Sequence, residues 1–338
     1  MRVMALVKRI LQQIVRDKRT MGLLIVAPIL VLTMLYLVFS GEAYTPKVGL
    51  VNVPAAVAEH INVDGAQVTE LGSEQEAQEQ LNTRQLDGYI TFEGQLPVIH
   101  LEGSDPSVSG ATMRWFQSAM TTDQAPKVKV DYLHGSSDMG QFDYFGPVLL
   151  GFFVFFFVFL IAGVSFLRER TTGTLERLLT SPLRKWEIVI GYVLGFGMFT
   201  MIQATVIAAY TIYVLGMVME GAFGYVLLIT LLLSLTALTL GILLSSFANN
   251  ELQMMQFIPI VIVPQIFFSG LFNLETIPSW LSWLGQVTPL YYAAEALRDV
   301  MVRGYGWGEI YIDVLAMAGF SLLFIAINII VLRKYRKV

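Results

Sequence analysis

The residues best equipped for chemistry lie in one short stretch, 169–182, ERTTGTLERLLTSP. It carries two acids, Glu169 and Glu176, and two arginines, Arg170 and Arg177, between runs 144–167 and 188–215 that hold no charge at all. Leu175, Leu178 and Leu179 fall on one face of a helix, and Glu169, Arg170 and Arg177 are polar handles. Thr171, Thr172 or Thr174 offers an N-cap and Pro182 a stop. A short amphipathic helix of this kind suits gripping by another protein better than it suits bond breaking.

No other set of residues competes with it as a reactive centre. His60, His100 and His134 match no compact ligand spacing, so no metal site is expected. The chain has no cysteine, which excludes disulfides, thiolate metal sites and cysteine catalysis. Neither a G-x-x-x-x-G-K-[ST] phosphate loop nor a G-x-S-x-G or H-E-x-x-H motif occurs. The apolar runs contain Gln203, Gln253, Gln256, Gln265 and Asn328, which do not titrate, and Asp313 only at the edge of the last run. Proton-coupled carriers place ionisable groups inside the bilayer, and ion channels build filters from charge rings or carbonyls. Catalytic residues are therefore expected to be absent, and any transport must draw its free energy from another chain.

The elements that position this segment follow from composition. Of 338 residues 55% are hydrophobic and 14% charged, with mean hydropathy +0.62, beyond the range of ordinary soluble domains. Six runs reach the roughly 20 residues that cross a hydrocarbon core of about 30 Å: 21–40, 144–167, 188–215, 225–247, 252–272 and 314–332. In lipid each must be a helix, and the alternating segments of a transmembrane barrel are missing. The first run is too long for a signal peptide and lacks a clean cleavage site, so it reads as an uncleaved span. Fifteen of the 22 basic residues lie in 1–20, 168–187 and 333–338. The positive-inside rule puts these three segments in the cytoplasm, which six spans permit.

Ahead of the first span, Val3, Leu6, Val7, Ile10, Leu11, Ile14 and Val15 make an apolar stripe, with Lys8, Arg9, Gln12, Gln13 and Arg16 opposite. This reads as an amphipathic helix, 1–20, lying in the inner interface, or as a continuous extension of span one; Thr20-Met21-Gly22 is the expected bend. Residues 41–143 carry about ten more acids than bases and read as an extracytoplasmic α+β domain. Its strands are expected at 47–53, 88–92, 97–101 and 127–133, and its helices at 73–84 and 106–120, the first opened by Ser73 with Glu76 as a capping box. Residues 216–224 form an outer turn and 248–251 an inner one. Pro259 and Pro264 make a hinge or a packing feature of span five. Residues 273–313, rich in Trp and Tyr and divided by Pro278 and Pro289, read as a re-entrant or interfacial hairpin or as an aromatic outer loop.

Two stretches resemble a known family. Residues 168–182, RERTTGTLERLLTSP, resemble the R-E-R-x-x-G-T-[LM]-E-x-L-[LM]-x-[ST]-P signature of ABC-2 type transporter permeases. Residues 289–304, PLYYAAEALRDVMVRG, resemble that family's second motif, and the order of segments matches over essentially the whole chain, closest to the bacterial drug-export branch. The resemblance implies an α-helical membrane protein in which 168–187 is the coupling-helix loop and Glu169, Arg170, Gly173, Thr174, Leu175, Glu176, Leu178, Leu179 and Pro182 carry ATPase coupling. It implies a multi-pass permease of the bacterial inner or plasma membrane, with both termini cytoplasmic. Its partners would be two ATP-hydrolysing subunits, an identical or related second permease, membrane lipids and a small-molecule or lipid-like cargo, with no nucleic acid. The chain itself would hold no cofactor, ATP and Mg being bound by the partner. The charge-free spans favour an amphiphilic or hydrophobic cargo; the competing reading is a membrane receptor or scaffold that binds a ligand without transport.

Overall fold

The structure, a computed structural model, describes residues 2–39, 45–53, 65–93, 96–103, 106–119, 139–272 and 283–334. The chain divides into two compact units, Gly41–Asp131 and the remainder, Met1–Ser40 with Tyr132–Val338.

The larger unit is helical. It begins with α1 (Arg2–Arg16) and α2 (Lys18–Phe39). Then come α5 (Gln141–Thr171), the short α6 (Thr174–Thr180), α7 (Lys185–Tyr213), α8 (Phe223–Ser245) and α9 (Glu251–Ile266). The chain continues from α9 into a widened π turn, Phe267–Leu271, and after a 3-10 turn at Trp283–Val287 forms α10 (Pro289–Met301) and α11 (Trp307–Lys334). Six of these helices are long and apolar enough to cross a membrane. They coincide with the six expected spans, though α5 begins three residues earlier than its run, ends four later, and is about 46 Å long at 1.5 Å per residue. The sixth helix starts at Trp307 and so includes Asp313.

Backbones approach closely where the sequence supplies glycine. A Cβ on Gly241 of α8 would lie 2.7 Å from the Phe159 carbonyl oxygen and 3.0 Å from the Ala162 Cβ of α5. Small residues of this kind let spans pack without a hydrophobic driving force. Gly191 and Gly195 of α7 receive Leu6 and Ile10 of α1, with would-be Cβ separations of 2.5 and 2.9 Å. The apolar stripe of α1 is thus spent on α7 through Leu6, Val7, Ile10 and Ile14, while Met4 and Val15 stay exposed. The break between α1 and α2 falls at Asp17, not at 20–22, so α1 is a separate helix rather than an extension of span one.

Polar side chains fasten the spans. Thr236 and Ser321 hydroxyls meet at 2.6 Å and Asn328 Nδ2 donates to the Thr239 carbonyl at 2.8 Å, joining α8 to α11. Gln203 Nε2 donates to the Leu24 carbonyl at 2.9 Å, joining α7 to α2. Such bonds contribute roughly 0.6 kcal/mol each between membrane helices. The non-titrating polar residues of the sequence are therefore, at Gln203 and Asn328, internal fasteners.

The smaller unit is α+β. Strands β1 (Lys47–Val51), β2 (Gln67–Leu71), β3 (Gly88–Glu93) and β4 (Leu96–Leu101) form a sheet in the order β2-β1-β3-β4, with β4 antiparallel to β3 and the other pairs parallel. Helix α3 (Glu74–Asn82) contributes Ala77 and Leu81 to a cluster with Val51, Leu71 and Tyr89. Helix α4 (Pro106–Ala119) contributes Trp115 and Phe116 to a second cluster with Val48, Leu50 and Ile90. Ser73 caps α3, its Oγ accepting from the Glu76 amide at 3.3 Å. Strand β2 was not expected from the sequence. The strand expected at 127–133, as well as His60 and His134, lies outside the described residues; His100 stacks on Tyr89 with ring centroids 4.5 Å apart. Among the described residues no cluster of metal-ligating side chains occurs.

Candidate functional site

Residues 169–182 do not form one uninterrupted elbow. The span helix α5 runs on through Glu169 and Arg170 to Thr171, so those two residues occupy its last turn. The chain then reverses at Gly173, whose φ of 74° is the left-handed conformation that glycine adopts at no steric cost, and α6 begins at Thr174. None of the threonines caps α6 as expected; Gly173 is the N-cap residue, and the Thr172 hydroxyl instead donates to the Arg168 carbonyl at 2.8 Å. The helix ends at the Ser181 C-cap, one residue before Pro182.

The segment is two-sided. Leu175 is buried, and Leu178 and Leu179 pack half-buried against the same helical core. Glu176, Arg177 and Thr180 are exposed on the other side, Thr174 is half-exposed, and Pro182 is exposed. A cleft of about 480 Å³ opens beside α6, lined by Leu179, Pro182, Arg184, Trp186 and Ile329.

Glu169 and Arg170 are not outward handles. Glu169 is only 4% exposed and its Oε2 accepts from Arg9 Nη2 of α1 at 2.9 Å and from the Tyr192 hydroxyl of α7 at 3.0 Å. Arg9 also reaches the Tyr192 hydroxyl at 3.1 Å, closing a three-membered network. A buried carboxylate requires such partners, because losing one leaves an uncompensated charge. Arg170 spreads its guanidinium over the C-terminal turn of α8: Nη1 donates to the Ser245 carbonyl and Nη2 to the Ala248 carbonyl, each at 2.6 Å. These carbonyls lie at and just beyond the C-terminal end of α8, where the helix dipole is negative, so a cation there is well placed. Pro182 is tied as well, its carbonyl accepting from Arg2 Nη1 at 2.7 Å. The base of α6 is thereby fastened to α1, α7 and the α8–α9 turn.

Arg9, Tyr192 and Arg2 were missed as members of this site. Arg9 and Arg2 belong to a basic face that periodicity assigns to solvent, and Tyr192 sits in an apolar run. The only signal was a buried-acid requirement that appears once Glu169 is known to face inward.

The second motif forms α10. Pro289, Leu290, Ala293, Ala294, Ala296, Leu297, Val300 and Met301 are all buried. Residues 289–301 of that region are thus a covered helix. Its charged residues gather at one end. Arg303 bonds Glu295 at 2.8 Å and also Asp299. Burial pushes the Asp299 carboxyl above its ordinary range while Arg303 pulls it back. Arg298 Nη2 donates to the Gly270 carbonyl at 3.0 Å, Nη1 lies 3.4 Å from Glu295, and the guanidinium sits 5.6 Å from the centroid of the Tyr144 ring.

The geometry is that of an apolar bundle with a braced, two-sided helix at one end, and known proteins of similar sequence are membrane transport proteins. The chain is 28% identical over 224 residues to ABC transporter G family member 20 of Dictyostelium discoideum, covering 65% of this chain and 31% of that protein. It is 26% identical over 158 residues to the probable multidrug ABC transporter permease YbhR of Escherichia coli K12, covering 46% of this chain and 43% of the relative. It is 24% identical over 181 residues to the linearmycin resistance permease protein LnrN of Bacillus subtilis 168, covering 53% and 46%. The matches thus span less than half the length of each of these relatives. The family described as ABC-2 family transporter protein matches residues 18–330, and this chain, a multi-pass membrane protein, belongs to it.

Proposed function

We propose that the chain is the permease subunit of an ABC-2 type exporter, driven by ATP hydrolysis on separate subunits that grip α6. The observation that carries this reading is the two-sidedness of α6. Its outer side offers Glu176, Arg177 and Thr180 to a partner, and its base is bonded to α1, α7 and the α8–α9 turn. A force applied to α6 passes through Gly173 to the last turn of α5, and bonds there and at Pro182 carry it to α1, α7 and the α8–α9 turn. Glu169, Arg170 and Pro182 serve coupling from within by holding α6 in place. Thr174, Leu175, Glu176, Leu178 and Leu179 form the gripped helix, with Gly173 as its pivot.

In this reading α6 and both termini are cytoplasmic, two ATPase subunits with their ATP and Mg bind a pair of permeases, and the sheet unit stands outside. The cargo is amphiphilic or hydrophobic. Support comes from spans whose buried polar groups, apart from Glu169 at the end of α5, are amides and hydroxyls, and from two relatives named for multidrug transport and for linearmycin resistance.

The test uses the absence of native cysteine. A photo-crosslinker placed on Arg177→Cys in native membranes should capture a chain carrying a phosphate-binding loop, and the purified complex should hydrolyse ATP. If intact permease yields no nucleotide-binding subunit and no hydrolysis, the reading fails and the receptor or scaffold alternative takes its place.

A further inference from the structure

The geometry points to Arg298 as the positioning residue that sets where the C-terminal end of the fifth apolar helix sits, acting as a releasable clasp rather than a permanent brace. The inference needs neither a particular cargo nor the partner proposed above.

Three observations carry it. The first is the shape of the helix being held. Burial on the fifth apolar helix gathers toward its far end, at Ile262, Gln265, Phe268 and Ser269. Pro259 and Pro264 each remove a backbone donor from α9, and beyond Ile266 the helix widens and turns at Gly270, φ 81°. The place of that end is therefore set by what it packs on and by what holds Gly270.

The second is what Arg298 grasps. It donates at 3.0 Å to the carbonyl of that same Gly270, at a helix end where carbonyls lack donors and a cation is favoured. Gly270 is required twice. Its φ suits glycine, and a Cβ there would lie 3.1 Å from Arg298 Nη1.

The third is the contrast between the anchor and the grip. Helix α10 is rigidly set, with one face buried among other helices. The Arg298 guanidinium is not. Arg303 makes the shorter bonds to Glu295 and Asp299, Glu295 reaches Arg298 only at 3.4 Å, and buried Arg298 Nε has no hydrogen-bond partner among the described residues. A bond to Gly270, a longer one to Glu295 and a ring face at Tyr144 hold the clasp. A fully satisfied guanidinium would resist release; this one leaves Nε unbonded and can give up its single carbonyl while Arg303 keeps Glu295 and Asp299 paired.

The test is a distance measurement between spin labels at Phe272→Cys and Trp307→Cys, both exposed positions, in the full chain in lipid nanodiscs. With Arg298 present the distribution should be a single narrow population. Arg298→Gln should add a longer population and broaden the distribution about twofold, as expected when a local restraint is lost. Arg298→Lys, which keeps the charge but not the fork, should fall between the two. Gly270→Ala should reproduce the effect of Arg298→Gln, and the double variant should go no further than either single one, since both break one contact. A control pair, Tyr213→Cys with Trp307→Cys, should not change. An unchanged Phe272–Trp307 distribution in Arg298→Gln, additive broadening in the double variant, or equal broadening of the control pair would overturn the assignment. Should Arg298→Gln fail to fold, Gly270→Ala and Arg298→Lys carry the test: both must broaden the Phe272–Trp307 distribution, and two unchanged distributions would overturn the clasp.

Discussion

Arg170 and Arg298 do the same job at the two ends of α5, and they do it differently. Each reaches from one helix to carbonyls at the C-terminal end of another. Arg170 stands in the last turn of α5 and holds the end of α8; Arg298 lies against Tyr144 near the first turn of α5 and holds the end of the fifth apolar helix. Along the α5 axis Tyr144 and Arg170 are separated by about 39 Å at 1.5 Å per residue. Arg170 makes two bonds of 2.6 Å to a helix that already packs backbone to backbone on α5 at Gly241. Arg298 makes one bond of 3.0 Å to a turn that also buries Phe268 and Ser269. The same residue type therefore makes two short carbonyl bonds at one end and one longer carbonyl bond at the other. In the permease proposed above, the doubly bonded, stiffer end would receive the force and the singly bonded end would yield to it.

The stiff end should fail most severely when its buried acid is altered. Glu169→Ala leaves Arg9 without its counter-ion, and breaking a buried pair costs about 3 kcal/mol or more. We expect a clear fall in the melting temperature of the purified permease. Because Arg9 is 34% exposed it recovers some hydration, so Arg9→Met should cost more than Glu169→Ala, and the double variant Arg9→Met/Glu169→Met less than the two losses combined. Additive losses would show that the pair is not a unit.

Next in size is the backbone contact that makes this end stiff. Gly241→Val pushes a side chain into the Phe159 carbonyl and Ala162, and overpacking costs typically 1–3 kcal/mol. Gly224 of the same helix meets nothing within 4 Å of its would-be Cβ, so Gly224→Ala should leave the melting temperature nearly unchanged. If both substitutions behave alike, the close approach of α5 and α8 does not set the rigidity of this end.

The comparison itself is sharpened by exchanging each arginine for lysine. A lysine cannot span two carbonyls, so Arg170→Lys loses a charge-assisted bond of about 1.5–3 kcal/mol. Arg298→Lys loses less, since only one carbonyl is engaged. Melting temperatures ranked wild type, Arg298→Lys, Arg170→Lys would bear out the asymmetry; the reverse order would contradict it.

How far the sequence reveals these two ends depends on the range of the interaction. The six apolar helices are legible because each is a continuous run whose burial needs no partner to be recognised, and their ends come out within a few residues except at Trp307, where Asp313 disguises the start of the last helix. The α1 helix is legible by its stripe, but its seat on Gly191 and Gly195 is not, because a G-x-x-x-G spacing says nothing about what lies in the groove. Strand β2, QVTEL, goes unseen since an edge strand can stay largely exposed and polar. In the candidate site, spelling identifies α6 while the direction of its neighbours stays hidden. Glu169 and Arg170 look like handles because periodicity assigns charge to solvent. Their partners are 160 and 75 residues away in sequence, and only the fold brings them together.

The smallest expected effect on stability belongs to the outer side of α6, and it is the one that separates gripping from bracing. Glu176 is exposed in the first turn of α6, and a surface substitution away from a network changes stability by within about 0.5 kcal/mol. Glu176→Ala should therefore melt with wild type. If α6 is what the ATPase holds, the same variant should lose coupling, seen as a fall in cargo-stimulated ATP hydrolysis in the reconstituted complex with membrane insertion intact. Glu169→Ala should lose both stability and coupling, since it removes the brace beneath the helix. A stable Glu176→Ala permease with full stimulation, tested alongside a similarly unaffected Leu178→Asp, would leave α6 as a structural elbow and place the partner's grip elsewhere.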